Sequence, residues 1–168
     1  MLARFSTFII VPMALVNLVF LLSCHPQRNL ASGEVARGIS GFIATNCAPQ
    51  DICQFQLKDV TNFSWDRFFV FDLTVDNDVI SKQIGSEFSS SIKYYSNKWF
   101  YLKDGELIHF EQRAIPEIDE YMKPGDIDFD ISSSKDRYAV FDTKSVFEVN
   151  RIKVNGGEAF LLKCVNCQ

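Results

Sequence analysis

Between Arg67 and Leu73 the chain carries apolar side chains on both faces of what reads as a β-strand, and no other stretch constrains the fold as tightly. Phe69, Phe71 and Leu73 alternate to one side, Phe68 and Val70 to the other. Such a strand needs cover above and below, which places it in the middle of a sheet. The chain has material for that cover: 16 of its 168 residues are Phe and 47% are hydrophobic, enough for the core of one domain.

One helix is expected from about Asn77 to Ile92, because Ile80, Ile84, Phe88 and Ile92 recur every four residues and Asp76 or Asp78 can cap its start. Gly85 and Ser89-Ser90-Ser91 weaken its second half. A hairpin follows, with Asp104-Gly105 as a two-residue turn between Lys98–Lys103 and Glu106–Glu111. Its simplest register sets Lys103 opposite Glu106, Leu102 opposite Leu107 and Phe100 opposite His109. Further strands are expected at Phe55–Lys58, Tyr138–Phe141 and Val146–Val149, and a closing hairpin at Arg151–Val154 and Ala159–Leu162 about Asn155-Gly156-Gly157. The expected fold is α+β: a twisted antiparallel sheet of five to seven strands with one main helix packed on a face.

The amino-terminal end points to a location. Arg4 is the only charge in the first 23 residues, and residues 5–22 are almost wholly apolar, the layout of an export signal. The run ends in Leu21-Leu22-Ser23-Cys24, which resembles the lipobox of bacterial lipoproteins. That resemblance implies cleavage between the small Ser23 and Cys24, a diacylglycerol on the Cys24 thiol, and a mature chain beginning there. Its acyl chains, at about 0.8 kcal/mol per buried CH₂, would hold the protein on a bilayer. An uncleaved signal anchor, for which an 18-residue run is just long enough, and a conventional cleaved signal are the alternatives. Pro12, Asn17 and the lack of a basic cluster after Cys24 count against the anchor. In enterobacterial-type sorting an Asp after the lipidated Cys favours retention at the inner membrane, so His25 implies the outer membrane, facing the periplasm. The expected organisation is a signal over residues 1–23, a lipidated tether over 24–38 and a single domain over 39–168.

Five cysteines leave four after lipidation: Cys47, Cys53, Cys164 and Cys167. An even number in an exported chain reads as structural disulfides, with three connectivities open. The local pairs are the simplest, while crossed pairs would restrict the unfolded chain more. Cys164-Val165-Asn166-Cys167 has the spacing of a redox motif, but its place at the end of the chain suggests no helix terminus to lower a thiol pKa. Five residues between Cys47 and Cys53 exceed the usual spacing of a zinc knuckle.

A net charge of −4 lacks the basic footprint of nucleic-acid binding. Ser90-Ser91-Ile92-Lys93 and Ser132-Ser133-Ser134-Lys135 fit the S-x-x-K pattern of penicillin-recognising enzymes without its partner motifs. Asp126, Asp128 and Asp130 alternate as in a calcium loop, yet Ile131 and Arg137 stand where that loop needs Gly and Glu. His109 is the only His of the domain and has no nucleophile elbow near it; Asp66 and Asp72 are a chance carboxylate pair. No metal, no cofactor beyond the acyl lipid on Cys24, and no catalytic residue are expected. Trp65-Asp66-Arg67-Phe68-Phe69-Val70-Phe71 resembles a segment of small uncharacterised exported bacterial proteins, a resemblance that implies no activity. The expectation is a non-enzymatic lipoprotein, bound to the membrane through its lipid and to an envelope protein through its domain. The alternative is an immunity or inhibitor lipoprotein against a toxin or lysozyme-like enzyme, using the acidic stretch from Glu117 to Asp130 and above all Asp126, Asp128 and Asp130. An envelope hydrolase with an unrecognised site is held in reserve.

Overall fold

The computed structural model describes residues 33–89, 97–112 and 122–167, and within them the strand apolar on both faces is central. This strand, β2 (Arg67–Phe71), pairs antiparallel with β3 (Lys98–Lys103) on one side and β6 (Tyr138–Asp142) on the other. Strand β4 (Glu106–Gln112) completes a sheet of order β4-β3-β2-β6. A second sheet has the order β1-β7-β8-β5, from β1 (Gln54–Gln56), β7 (Val146–Val154), β8 (Gly157–Cys164) and β5 (Ile127–Phe129). The fold is α+β, with two four-stranded sheets where one was expected. Pairing is antiparallel except at β5 and β8, which run parallel. The two candidate strands at Val146–Val149 and Arg151–Val154 are one nine-residue strand.

Each face of the first sheet has its own cover. Phe68, Val70, Trp99 and Tyr101 face the second sheet, where Phe68 and Trp99 each meet Phe129 at a ring separation of 4.9 Å and Phe141 meets Phe147 at 5.0 Å. Phe69, Phe71, Phe100 and Leu102 face helix α2 (Asn77–Ile84), whose Ile80 and Ile84 are buried against them. Leu73 lies beyond the strand and is exposed. Helix α2 is shorter than the four-residue repeat suggested, because Gly85 adopts φ 74° and ends it. Phe88 still joins the apolar layer, its N–H donating to Ser81 Oγ at 2.9 Å and its ring meeting Phe100 at 4.9 Å. Ile92 lies outside the described residues.

The first helix, α1 (Glu34–Asn46), corrects the expected boundary between tether and domain. Its amino-terminal turn was assigned to a polar tether ending at residue 38, yet Val35 is 1% exposed and Ile39 and Ile43 complete a buried stripe against both sheets. Two Gly and two polar residues hid that stripe. Gly38 is needed for close packing: a Cβ there would stand 2.6 Å from the Val60 carbonyl oxygen. Residues 5–22, Ser23, Cys24 and His25 lie outside the described residues. Among the described residues no helix is long and apolar enough to cross a membrane.

Candidate functional site

The hairpin holds the most unusual polar chemistry of the fold. Asp104 (φ 52°) and Gly105 (φ 83°) make the tight turn, and Lys103 with Glu106 and Leu102 with Leu107 pair as expected. One extra residue, Ile108, then enters β4, so His109 pairs with Tyr101 and Phe110 with Phe100. Phe100 opposite His109 is thereby corrected. The bulge moves His109 and Glu111 from the α2 face to the α1 face, because a one-residue slip reverses every later side chain.

The redirected carboxylate meets the start of α1. Glu111 is 3% exposed; its Oε1 accepts the Val35 N–H at 2.6 Å and its Oε2 the Ala36 N–H at 3.4 Å. Gly33 precedes the helix with φ 92° and offers no side-chain cap, so a carboxylate 76 positions beyond Val35 performs that task. Its charge also suits the positive end of the helix dipole. His109 Nε2 lies 3.0 Å from the same Oε1, its ring tilted against Phe63 at 4.6 Å and edge-on to Tyr101 at 5.6 Å. The Tyr101 hydroxyl finds no hydrogen-bond partner among the described residues, and burial, then the Glu111 charge, push its pKa well above the ordinary phenol range. This is a clamp: the histidine and carboxylate are committed to α1.

The acidic row, expected within a polar stretch, spans the short strand β5 instead: Asp128 lies in it and Asp126 and Asp130 flank it. Ile127 and Phe129 enter the core, while Asp126, Asp128 and Asp130 are half-buried on the other side. Each carboxylate makes local bonds. Asp126 accepts the Lys123 N–H across a turn. Asp128 accepts from Asn97 Nδ2 at 2.7 and 2.8 Å and takes the Phe129 N–H at 2.8 Å, tying the start of β3 to the edge of the second sheet. Asp130 accepts the Ser132 hydroxyl at 2.6 Å and the Ser132 N–H at 3.1 Å, which hold its carboxyl below the usual range. These bonds are the structural use of a spacing that resembles a calcium loop. Among the described residues no group of three or more His, Cys, Asp or Glu is placed to hold a metal. Glu117 and the rest of 113–121 lie outside the described residues.

Both local disulfides are present. Cys47 and Cys53 have a Cα separation of 5.4 Å and sit in the core beside Phe55; Cys164 and Cys167 have one of 5.7 Å and sit at the end of β8. Asp66 and Asp72 stand at opposite ends of β2, about 20 Å apart along an extended chain, which separates them too far to act on one glycosidic bond. Asp66 instead lies 3.9 Å from Lys103 Nζ and accepts the Asp104 N–H at 2.6 Å, closing the hairpin turn, while the Arg67 guanidinium lies 5.9 Å from the Phe69 ring. Ser134 donates to the Tyr138 carbonyl. Ser90, Ser91 and Lys93 lie outside the described residues.

Two open clefts are lined by polar groups. One, of about 600 Å³, lies between Asp72, Asp130, Ser132 and Arg137. The other, of about 540 Å³, includes Arg67, Asp142, Lys144, Asn166 and Cys167. Sequence reasoning missed both, together with the Glu111 clamp, because their residues meet only through the sheets. A charged Glu111 at a position alternating with aromatic residues was the one signal in the chain. No family model, curated protein or solved structure matches the chain.

Proposed function

We propose that this protein is a lipid-anchored component of a bacterial envelope that works by binding an envelope protein, with Cys24 carrying the anchor. The observation that carries the reading is the apolar run closing in Leu21-Leu22-Ser23-Cys24 behind a single basic residue. Four further cysteines in two disulfides suit an oxidising compartment. The binding role is supported by the commitment of Glu111 to α1 and of His109 to Glu111, with the imidazole buried beside Phe63 and Tyr101. An outer-membrane position facing the periplasm is the corresponding location, following His25.

The intact mass of the protein extracted from membranes tests the anchor. Loss of residues 1–23 with added diacylglycerol and acyl mass is the expected result; a mass that retains Met1 to Ser23 overturns it. A Cys24→Ala form should fail to incorporate labelled palmitate.

A second reading, an inhibitor or immunity lipoprotein that plugs a cationic enzyme, is favoured by the half-buried carboxylates in and beside β5, on the side away from Ile127 and Phe129. The structure refines the test of that row. Asp128 ties the start of β3 to β5 through Asn97 and is kept, while Asp126 and Asp130 are reversed to Lys with circular dichroism as a check on folding, since both also accept local hydrogen bonds. Affinity capture from envelope extract should yield one stoichiometric basic hydrolase that the reversed form binds at least about tenfold more weakly. Undiminished binding would remove the acidic row from the interface.

A further inference from the structure

The two disulfides occupy opposite environments. Cys47 and Cys53 are 7% and 8% exposed within the aromatic core, whereas Cys167 is exposed and Cys164 half-buried. We propose that Cys164–Cys167 is a thiol–disulfide exchange site whose partner is a protein dithiol, attacked at Cys167. The inference does not depend on the lipid anchor.

Three observations support it. First, the bridge is structurally redundant. The Val165 N–H donates to the Val146 carbonyl at 2.9 Å, Asn166 Oδ1 accepts the Val146 N–H at 2.7 Å, and Asn166 Nδ2 donates to the Lys144 carbonyl at 3.0 Å. These bonds pin the chain end to the turn before β7 whether or not the sulfurs are joined. A sequence separation of 3 also closes too short a loop to restrict the unfolded chain strongly. Second, Cys167 is exposed and lines the cleft of about 540 Å³, so that an attacking thiolate can approach it from that side. Third, that cleft holds two cations, Arg67 and Lys144, against one carboxylate. The carboxylate, Asp142, is turned to its own loop, accepting the Lys144 N–H at 2.8 Å and the Ser145 hydroxyl at 3.2 Å. A cationic surface favours an arriving thiolate and the thiolate it displaces.

The exchange balances with the dithiol as the two-electron donor. Its first thiolate attacks Cys167 Sγ, forming a mixed disulfide and breaking the Cys164–Cys167 bond. Cys164 leaves as a thiolate and takes a proton from water; as a thiol it can donate to Asn166 Oδ1, which lies 3.6 Å from its sulfur. The second thiolate of the donor attacks the mixed disulfide, releasing Cys167 and oxidising the donor. The reverse sequence oxidises a partner dithiol.

The test uses the full-length protein in detergent. Dithiothreitol reduction is followed by differential alkylation and peptide mass, with near-ultraviolet circular dichroism recorded in parallel. Cys164 and Cys167 should become alkylated at least about tenfold faster than Cys47 and Cys53, with the aromatic signal unchanged. A thioredoxin probe whose second active-site cysteine is replaced by Ser should be trapped on Cys167, and the Cys167→Ser form should not trap it. Equal reduction rates for the two pairs, loss of the aromatic signal as Cys164–Cys167 opens, or trapping elsewhere or nowhere overturns the proposal.

Discussion

The two helices are held by opposite means. Helix α2 carries its own instructions: an apolar stripe at Ile80 and Ile84, a helix-ending Gly85, and a sheet face that the stripe covers. Helix α1 has a buried stripe as well, but it is set by groups far along the chain. Its first N–H groups go to Glu111, and its Gly38 lies against the Val60 carbonyl. One helix is autonomous and the other is received. The difference teaches that a helix can be as deeply buried as any in a fold while its ends and spacing are specified by a strand bulge elsewhere.

Substitutions should separate the two cases. The largest effect is expected for Glu111→Ala, which orphans two helix N–H groups and a buried imidazole and should cost about 3 to 4 kcal/mol in urea unfolding. Amide exchange in α1 should accelerate while that in α2 keeps its protection; unchanged α1 protection would refute the clamp. Ile80→Ala should cost about 3 kcal/mol by leaving a cavity under α2, with the reverse pattern of exchange.

Within α1 itself, two glycines should respond with opposite sign. Gly38→Ala drives a Cβ toward the Val60 oxygen and should destabilise by about 2 kcal/mol. Gly41 has open space at its Cβ position, and Gly41→Ala should stabilise by about 0.5 kcal/mol through helix propensity. Matching signs in thermal unfolding would show that α1 does not approach Val60 as described.

The smallest effect is electrostatic and belongs to neither helix. Ser132 holds the Asp130 carboxyl below its unfolded value, so this contribution is complete at neutral pH and lost as pH falls through the folded value. Asp130→Asn should flatten that part of the acid limb by the same amount in the Ile80→Ala background as in the wild type. A changed acid limb in that background would couple β5 to α2.

How much of this was legible follows from how far apart the cooperating residues stand. Strand β2, the turn at Asp104-Gly105 and the start of α2 were readable because alternation, turn chemistry and the four-residue repeat are local signals. The carboxyl-terminal hairpin was readable for the same reason. The division into two sheets was not, because strand order depends on pairings such as Phe55 with Phe147, which leave no periodic trace. Helix α1 was hidden by glycines that serve its packing. The hairpin register failed at one residue, Ile108, and that residue decides which face receives Glu111. Of the candidate sites, the acidic row and the cysteines were visible as residues, but the bonds at Asp128 and the cations beside Cys167 were not.

The pairing of β1 with β7 also dictates an order of assembly. A chain synthesised from its amino terminus delivers residues 34–56 early, yet β1 has no strand to join until residues 146–148 follow. Strands β2, β3 and β4 with α2 span a shorter interval and can assemble earlier, although β6 and the second sheet must wait. Cys47 and Cys53 need not wait, since six positions separate them and an oxidant can join them before the rest of the chain has folded. The buried bridge can thus fix the first segment of the domain without help from the sheet that encloses it.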